Sequence, residues 1–188
     1  MNRMHRRLCA SPEWAQTTAQ RLPLVLDRAE LGDDVLEIGP GYGATTRVLA
    51  TRYPRLTALE VDTDRAAALA TEVDARVVPG SGADMPFDDG TFSGVVCFTM
   101  LHHVPSARMQ DDLFAETHRV LRPGGMFAGS DSQLNPRFRL LHLGDTMVTV
   151  SAATLPDRLT RAGFDDVRVQ HEPNAIVRWW ARKARAQV

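Results

Sequence analysis

Three groups of residues in this 188-residue chain have types and spacings suited to chemistry. The first is Gly39, Gly41 and Gly43 in the stretch VLEIGPGYGATT, residues 35–46. Glycines let a backbone turn sharply and lie against a ligand with no side chain between them. A helix that starts at such a turn presents unpaired N–H groups and the positive end of its dipole, which hold anionic or hydroxylic parts of a nucleotide. The second group is acidic. Glu60 and Asp62 end the apolar run LTALEV, and Asp84 lies in the loop GSGADMPFDD, residues 80–89. A carboxylate at the end of a second strand can accept from both hydroxyls of a ribose, and Glu60 is assigned that role. Asp84 could accept from the exocyclic amine of an adenine while Met85, Pro86 and Phe87 cover the ring face. The third group is the pair His102 and His103, which follows the run FSGVVCF. Imidazole titrates near neutrality, so either ring could take a proton from a hydroxyl. Adjacent residues in an irregular segment point apart, which leaves one of them to reach a substrate, and His103 is assigned as the base. His142 is a second candidate, and His118 reads as a surface residue of a helix.

Each group also has a plainer reading. The glycines could form a tight turn with no ligand, Phe87 could merely pin its loop to the core, and the paired histidines could cap or pack. Asp62 and Asp64 suit caps for a helix over 65–73. Gly39, Gly41 and Ala44 satisfy the G-x-G-x-x-A dinucleotide pattern, with Glu60 at about the right distance for a ribose acid. A nicotinamide-dependent oxidoreductase is therefore a second reading. Its usual Tyr/Lys catalytic pair is not recognisable, since Tyr42 and Tyr53 are the only tyrosines and Lys183 is the sole lysine.

The elements that must position these residues alternate. Strands are expected at 35–38, 56–61, 75–79, 92–98 and from Met126 to Gly129, with helices at 44–53, 65–73 and 105–121 between them. That order argues a parallel, doubly wound α/β sheet. Ahead of it, residues 12–31 read as a cap helix interrupted at Pro23, preceded by His5, Arg6 and Arg7 as a solvated terminus. The length suits a single domain with a sizeable core. Cys9 and Cys97 are the only cysteines, which disfavours a disulfide framework or a CxxC metal site, and no metal is expected. No apolar run approaches a membrane span, and a reducing cytoplasm fits best. The formal net charge of −1 offers no general attraction to nucleic acid. A third reading is a non-catalytic module that keeps an adenosyl-ligand site but methylates nothing, or that binds RNA through the basic tail Arg178–Arg185 with Trp179 and Trp180 stacking on bases. Alternation along a strand would put one of those rings inward and one at the surface.

VLEIGPGYG, LEVD, GADMPFDDGTF and RVLRPGGMF, in that order and spacing, resemble the motifs of the class I S-adenosylmethionine-dependent methyltransferases. The likeness is to the small-molecule branch that includes ubiquinone and menaquinone biosynthesis enzymes. LPDRLTRAGFDDVRVQ and AIVRWWARK resemble the family's closing helix and strands, so the match runs from about Leu31 to Lys183. The family's acid after the aromatic in its TF-D position is Ser93 here. The resemblance implies a Rossmann-like seven-stranded sheet, mostly parallel with an antiparallel last strand and helices on both faces. It implies S-adenosyl-L-methionine as cofactor, a small-molecule methyl acceptor as partner, and no nucleic acid. Glu37 would lie near the cofactor's ammonium, Gly39, Gly41 and Gly43 against its methionine portion, and Glu60 with Val61 at its ribose. Ala83, Asp84 and the Met85 amide and side chain would meet the adenine, and Thr99 would line the boundary with the acceptor. Within a single domain over 1–188, residues 1–31 would form the cap, 32–130 the cofactor half, and 131–188 the acceptor side and last strands.

Overall fold

The apolar runs do become strands, and the computed structural model, which describes residues 2–186, joins them in one seven-stranded sheet. The strands are β1 (Asp34–Ile38), β2 (Arg55–Glu60), β3 (Arg76–Pro79), β4 (Phe92–Phe98), β5 (Leu121–Ser132), β6 (Phe164–Glu172) and β7 (Ile176–Lys183). Their order across the sheet is β3-β2-β1-β4-β5-β7-β6. The first five pair in parallel, and β7 is antiparallel to both β5 and β6. The chain steps outward from β1 to β2 and β3, then returns to place β4 on the other side of β1. At such a reversal the connections leaving the two strands diverge and open a crevice at their carboxyl ends.

Eight helices complete the described chain: α1 (Arg3–Cys9), α2 (Pro12–Arg21), α3 (Pro23–Leu26), α4 (Thr46–Arg52), α5 (Thr63–Ala70), α6 (Ala107–Val120), α7 (Pro136–Leu141) and α8 (Leu155–Arg161). Several starts are set by short polar side chains that accept from an otherwise unpaired helix amide: Asn2 from His5, Ser11 from Trp14, Asp62 from Arg65, Ser106 from Met109 and Asn135 from Phe138. Pro23 breaks the amino-terminal helix as expected.

The sheet is covered on both faces, and the period of two along each strand divides the core accordingly. Leu36, Ile38, Val95, Cys97, Phe127 and Trp179 face one cluster, with Leu113 and Phe114 of α6 and Leu159 of α8. Val35, Val96, Phe98, Ala128 and Trp180 face the other, with Val25 and Leu26 of α3 and Leu49 of α4. Double coverage corrects the expectation for the tryptophans. Both are buried, and Trp180 Nε1 donates to the carbonyl of Val25 at 3.0 Å, which fastens α3 to the sheet.

Two other expectations change. The residues read as a solvated terminus form α1, with His5 buried. The LRPGG stretch does not separate helix from strand, because β5 begins at Leu121 and passes through it with a bulge against β4.

Candidate active site

At the crevice, the turn after β1 is built by backbone geometry. Gly39 has φ +68° and Gly41 φ +57°, both in the left-handed region that costs a side chain strain. A Cβ on Gly39 would run into Met100, whereas a Cβ on Gly41 would meet nothing within 4 Å. The turn is thus packed on its inner side and open at Gly41. Gly43 shares the left-handed conformation.

Two acids stand behind this turn. Glu60, buried at the end of β2, accepts from the Gly41 amide and the Asp62 amide, each at 3.0 Å, so its carboxylate is locked in orientation at the cavity wall. Glu37 is buried in β1. Its Oε1 accepts from Thr45 Oγ1, and its Oε2 has no partner. Burial pushes its pKa up to about 7, against the pull of the Thr45 hydroxyl, and neighbouring Glu60 adds to the rise. An unpartnered buried carboxyl oxygen is costly unless something else meets it.

Gly39, Gly41, Glu60, Val61, Ala83 and Thr99 all line one cavity of about 450 Å³, within the usual range for small-ligand sites. Thr99 takes the left-handed conformation, φ +50°, while its amide donates to the carbonyl of Ser130 at 2.8 Å. The loop over 80–89 departs from expectation. Ser81, Gly82 and Ala83 line the cavity, but Asp84 is exposed and lies outside the lining. The Met85 side chain is buried in the core. Its amide donates to Glu116 Oε2 at 2.8 Å, so it is not available to an adenine. Arg119 of α6 donates to the carbonyls of Met85 and Phe87, which holds the loop from behind. The short sequence offset between Ser81 and Asp84 decides which one lines the cavity, and spacing alone did not resolve it.

The other end of the cavity is lined by four imidazoles: His5, His102, His103 and His142. His102 and His103 lie in the 3₁₀ turn Leu101–His103 beyond β4. Asp131, fully buried in the neighbouring strand β5, binds His102 twice, accepting from its amide at 2.9 Å and meeting its Nδ1 at 2.5 Å. His103 has a different setting. Burial and the adjacent imidazoles lower its pKa to about 3, so it stays neutral near pH 7 and is a poor proton acceptor. The base role assigned to His103 is not what this environment supports.

His142 is buried, with Nδ1 against the carbonyl of Phe138 at 2.8 Å and Nε2 without a partner. His5 meets Asp145 through Nδ1 at 3.1 Å. His118 is outside the cavity, edge-on to Phe164 with ring centroids 5.2 Å apart. The sequence reading missed His5, Asp131 and Asp145. The signal that could have found Asp131 is its place just after the apolar run of β5, beside the strand that delivers His102.

The basic tail is occupied. Arg178 pairs with Glu172, Arg182 with Glu30, and Lys183 donates to the carbonyls of His118 and Leu121. Among the described residues no helix is long and apolar enough to cross a membrane.

Comparison with known proteins gives a consistent result. The family described as a methyltransferase domain matches residues 36–129, half of the chain. The sarcosine/dimethylglycine N-methyltransferase of Halorhodospira halochloris is 30% identical over 177 residues, covering 83% of this chain and 61% of that protein. The 24-methylenesterol C-methyltransferase 2 of Arabidopsis thaliana is 23% identical over 184 residues, covering 87% of this chain and 50% of that protein. The chain therefore spans between half and two thirds of the length of these relatives. Among solved structures, the phosphoethanolamine N-methyltransferase 2 of Haemonchus contortus, in complex with S-adenosyl-L-methionine, has a TM-score of 0.72 at 14% identity, over 96% of this chain and 60% of that one. That likeness is one of fold.

Proposed function

Because the chain belongs to the methyltransferase-domain family, of the class I S-adenosylmethionine-dependent kind, we propose that it moves a methyl group from that cofactor to a small-molecule acceptor lying against His102. The observation that carries this reading is Glu37 Oε2, buried and unpartnered behind the glycine turn. An ammonium group beside it would supply the missing partner and draw the carboxyl back toward its ordinary acidity. The other residues fit the same cofactor. Gly41 leaves room for close approach, Glu60 has a fixed carboxylate for ribose hydroxyls, and Ser81 to Ala83 face the cavity where an adenine would be covered.

When bound, S-adenosylmethionine supplies a methyl group already activated on a sulfonium. What remains for the chain is to orient the acceptor, exclude water and remove a proton where the acceptor carries one. His102 is placed for that last task. Asp131 accepts the Nδ1 proton, which puts the ring's lone pair on Nε2, and the same carboxylate offsets the charge the ring gains when Nε2 takes the acceptor's proton. The names of the relatives include an amine nitrogen and a sterol carbon as acceptors. The His102–Asp131 pair favours an acceptor that must lose a proton, such as a hydroxyl. The division into a cap over 1–31 and an acceptor side over 131–188 is supported by the same cavity, since its far wall takes His5 from the one and His142 from the other.

Titration calorimetry with S-adenosylmethionine, S-adenosylhomocysteine and NADH tests the reading. Micromolar binding of the two adenosyl compounds without NADH is expected, and binding of NADH in their place overturns it.

A further inference from the structure

Four of the chain's six histidines meet at the acceptor end of the cavity, and the proposed methyl transfer uses one of them. The other three come from separate parts of the chain: His5 from α1, His103 from the turn after β4, and His142 from the residue that ends α7. One ligand nitrogen from each lies within 4.8 Å of the others. Ring centroids are 4.3 Å apart for His5 and His142, 5.1 Å for His5 and His103, and 5.4 Å for His103 and His142.

The hydrogen bonds on the outer side of these rings fix what the inner side offers. A carbonyl oxygen can only accept, so His142 Nδ1 must carry the proton that meets Phe138, and Nε2 carries a lone pair. That Nε2 is buried and has no partner. His5 Nδ1 meets Asp145 Oδ2 at 3.1 Å; a carboxylate oxygen accepts, so Nδ1 is the donor and His5 Nε2 also carries a lone pair. His103 contributes a ring nitrogen to the same group. Lone pairs on ring nitrogens this close together cannot satisfy one another, whereas a cation satisfies all of them at once. Outer-nitrogen bonds to a carboxylate and a backbone carbonyl are also how metal-binding histidines are held in orientation.

We propose that His5, His103 and His142 form a three-imidazole site for a first-row divalent transition ion of the zinc class, with its open coordination position facing the cavity. Three protein ligands with one position left open is the arrangement of a reactive rather than a purely structural zinc site. Bond lengths of about 2.0–2.1 Å to zinc require the three nitrogens to draw together by rotation of side chains already in ring contact. An acceptor oxygen, nitrogen or sulfur entering the open position would be held beside His102 and made more acidic, which eases the proton's departure. The effect on the acceptor rests on the methyltransferase reading, whereas binding of the ion does not.

The test uses the full chain, treated with chelator and then titrated with zinc by calorimetry and with cobalt by visible absorption. One equivalent of ion is expected, with the intense visible bands of four-coordinate cobalt. His5→Ala and His142→Ala should each weaken binding by about 100-fold or more, and Asp145→Asn by about 10- to 100-fold. His171→Ala, on the exposed side of β6, should leave it unchanged. Absence of stoichiometric binding, or binding that survives both histidine variants, overturns the site. Retained S-adenosylhomocysteine binding shows that a variant is folded, and Asp145→Asn decides the matter if the alanine variants do not fold. If the ion binds but S-adenosylhomocysteine does not, the methyltransferase reading fails and the metal site stands; the reverse result removes the metal site alone.

Discussion

The two ends of the cavity are built by different means. The end walled by Gly39, Gly41 and Glu60, with Glu37 buried behind them, comes from two neighbouring strands and the turns after them, all within residues 37–62. The histidine end is assembled from residues 5, 102, 103, 131, 142 and 145, and its hydrogen bonds join positions as far apart as His5 and Asp145. One end follows from local backbone geometry. The other exists only once the sheet, α1 and α7 have come together.

That contrast can be broken from either side. The largest effect is expected at the histidine end: His102→Ala should lower turnover by roughly 10²- to 10⁴-fold, the usual contribution of general acid–base catalysis, with S-adenosylhomocysteine affinity within twofold of the parent. Asp131→Asn should act in the same direction by disturbing the tautomer. Single-turnover kinetics and calorimetry on the same preparations separate the two quantities, and a matching loss of affinity would mean that the ends are not independent.

Next comes Glu37. Its pKa is raised from 4.5 to about 7 in the fold, so the folded state binds more protons than the unfolded one between those values. Stability is therefore greatest at or below about pH 4.5 for this group and falls as pH rises through 7, by up to about 3 kcal/mol from the linkage relation. Glu37→Gln should melt above the parent at pH 8, the gap should close by pH 5, and cofactor binding should weaken. Melting curves for the ligand-free protein at both pH values check this, and a gap independent of pH would remove the assignment.

At the same end, Glu60→Ala should cost about 1–3 kcal/mol of cofactor affinity, the size of lost hydrogen bonds to a charged group. Calorimetric titration of this variant showing parent-like affinity would place the ribose elsewhere. The smallest effect is expected for Asp84→Ala. Its side chain is exposed outside the cavity lining, so affinity and stability should both stay within about 0.5 kcal/mol. A loss as large as that for Glu60 would restore Asp84 to the adenine site.

What was legible in the sequence follows the same division. Strand positions and the glycine turn could be read because their spacing along the chain is also their spacing in space. Which residues of the loop over 80–89 line the cavity was not legible in that same half, since a loop's apolar Met85 and Phe87 look alike whether they cover a ligand or anchor the core. Here α6 anchors them, through Glu116 and Arg119. At the other end the paired histidines were visible, but what distinguishes them was not. Asp131 is 29 residues from His102 in sequence and one strand away in space. His5 looked like part of a charged terminus because its partner is 140 positions downstream.

The pairing of β7 between β5 and β6 places Trp179 and Trp180 back to back through the sheet, while Trp14 stands in the cavity wall. These are the chain's three tryptophans, and they give it an intrinsic optical readout in two channels. Emission from the adjacent pair reports whether the last strand has docked, and emission from Trp14 reports whether the cavity is filled. Replacing Trp14 by Phe isolates the first signal, and the difference between parent and variant gives the second, so assembly and ligand capture can be timed separately without an attached dye.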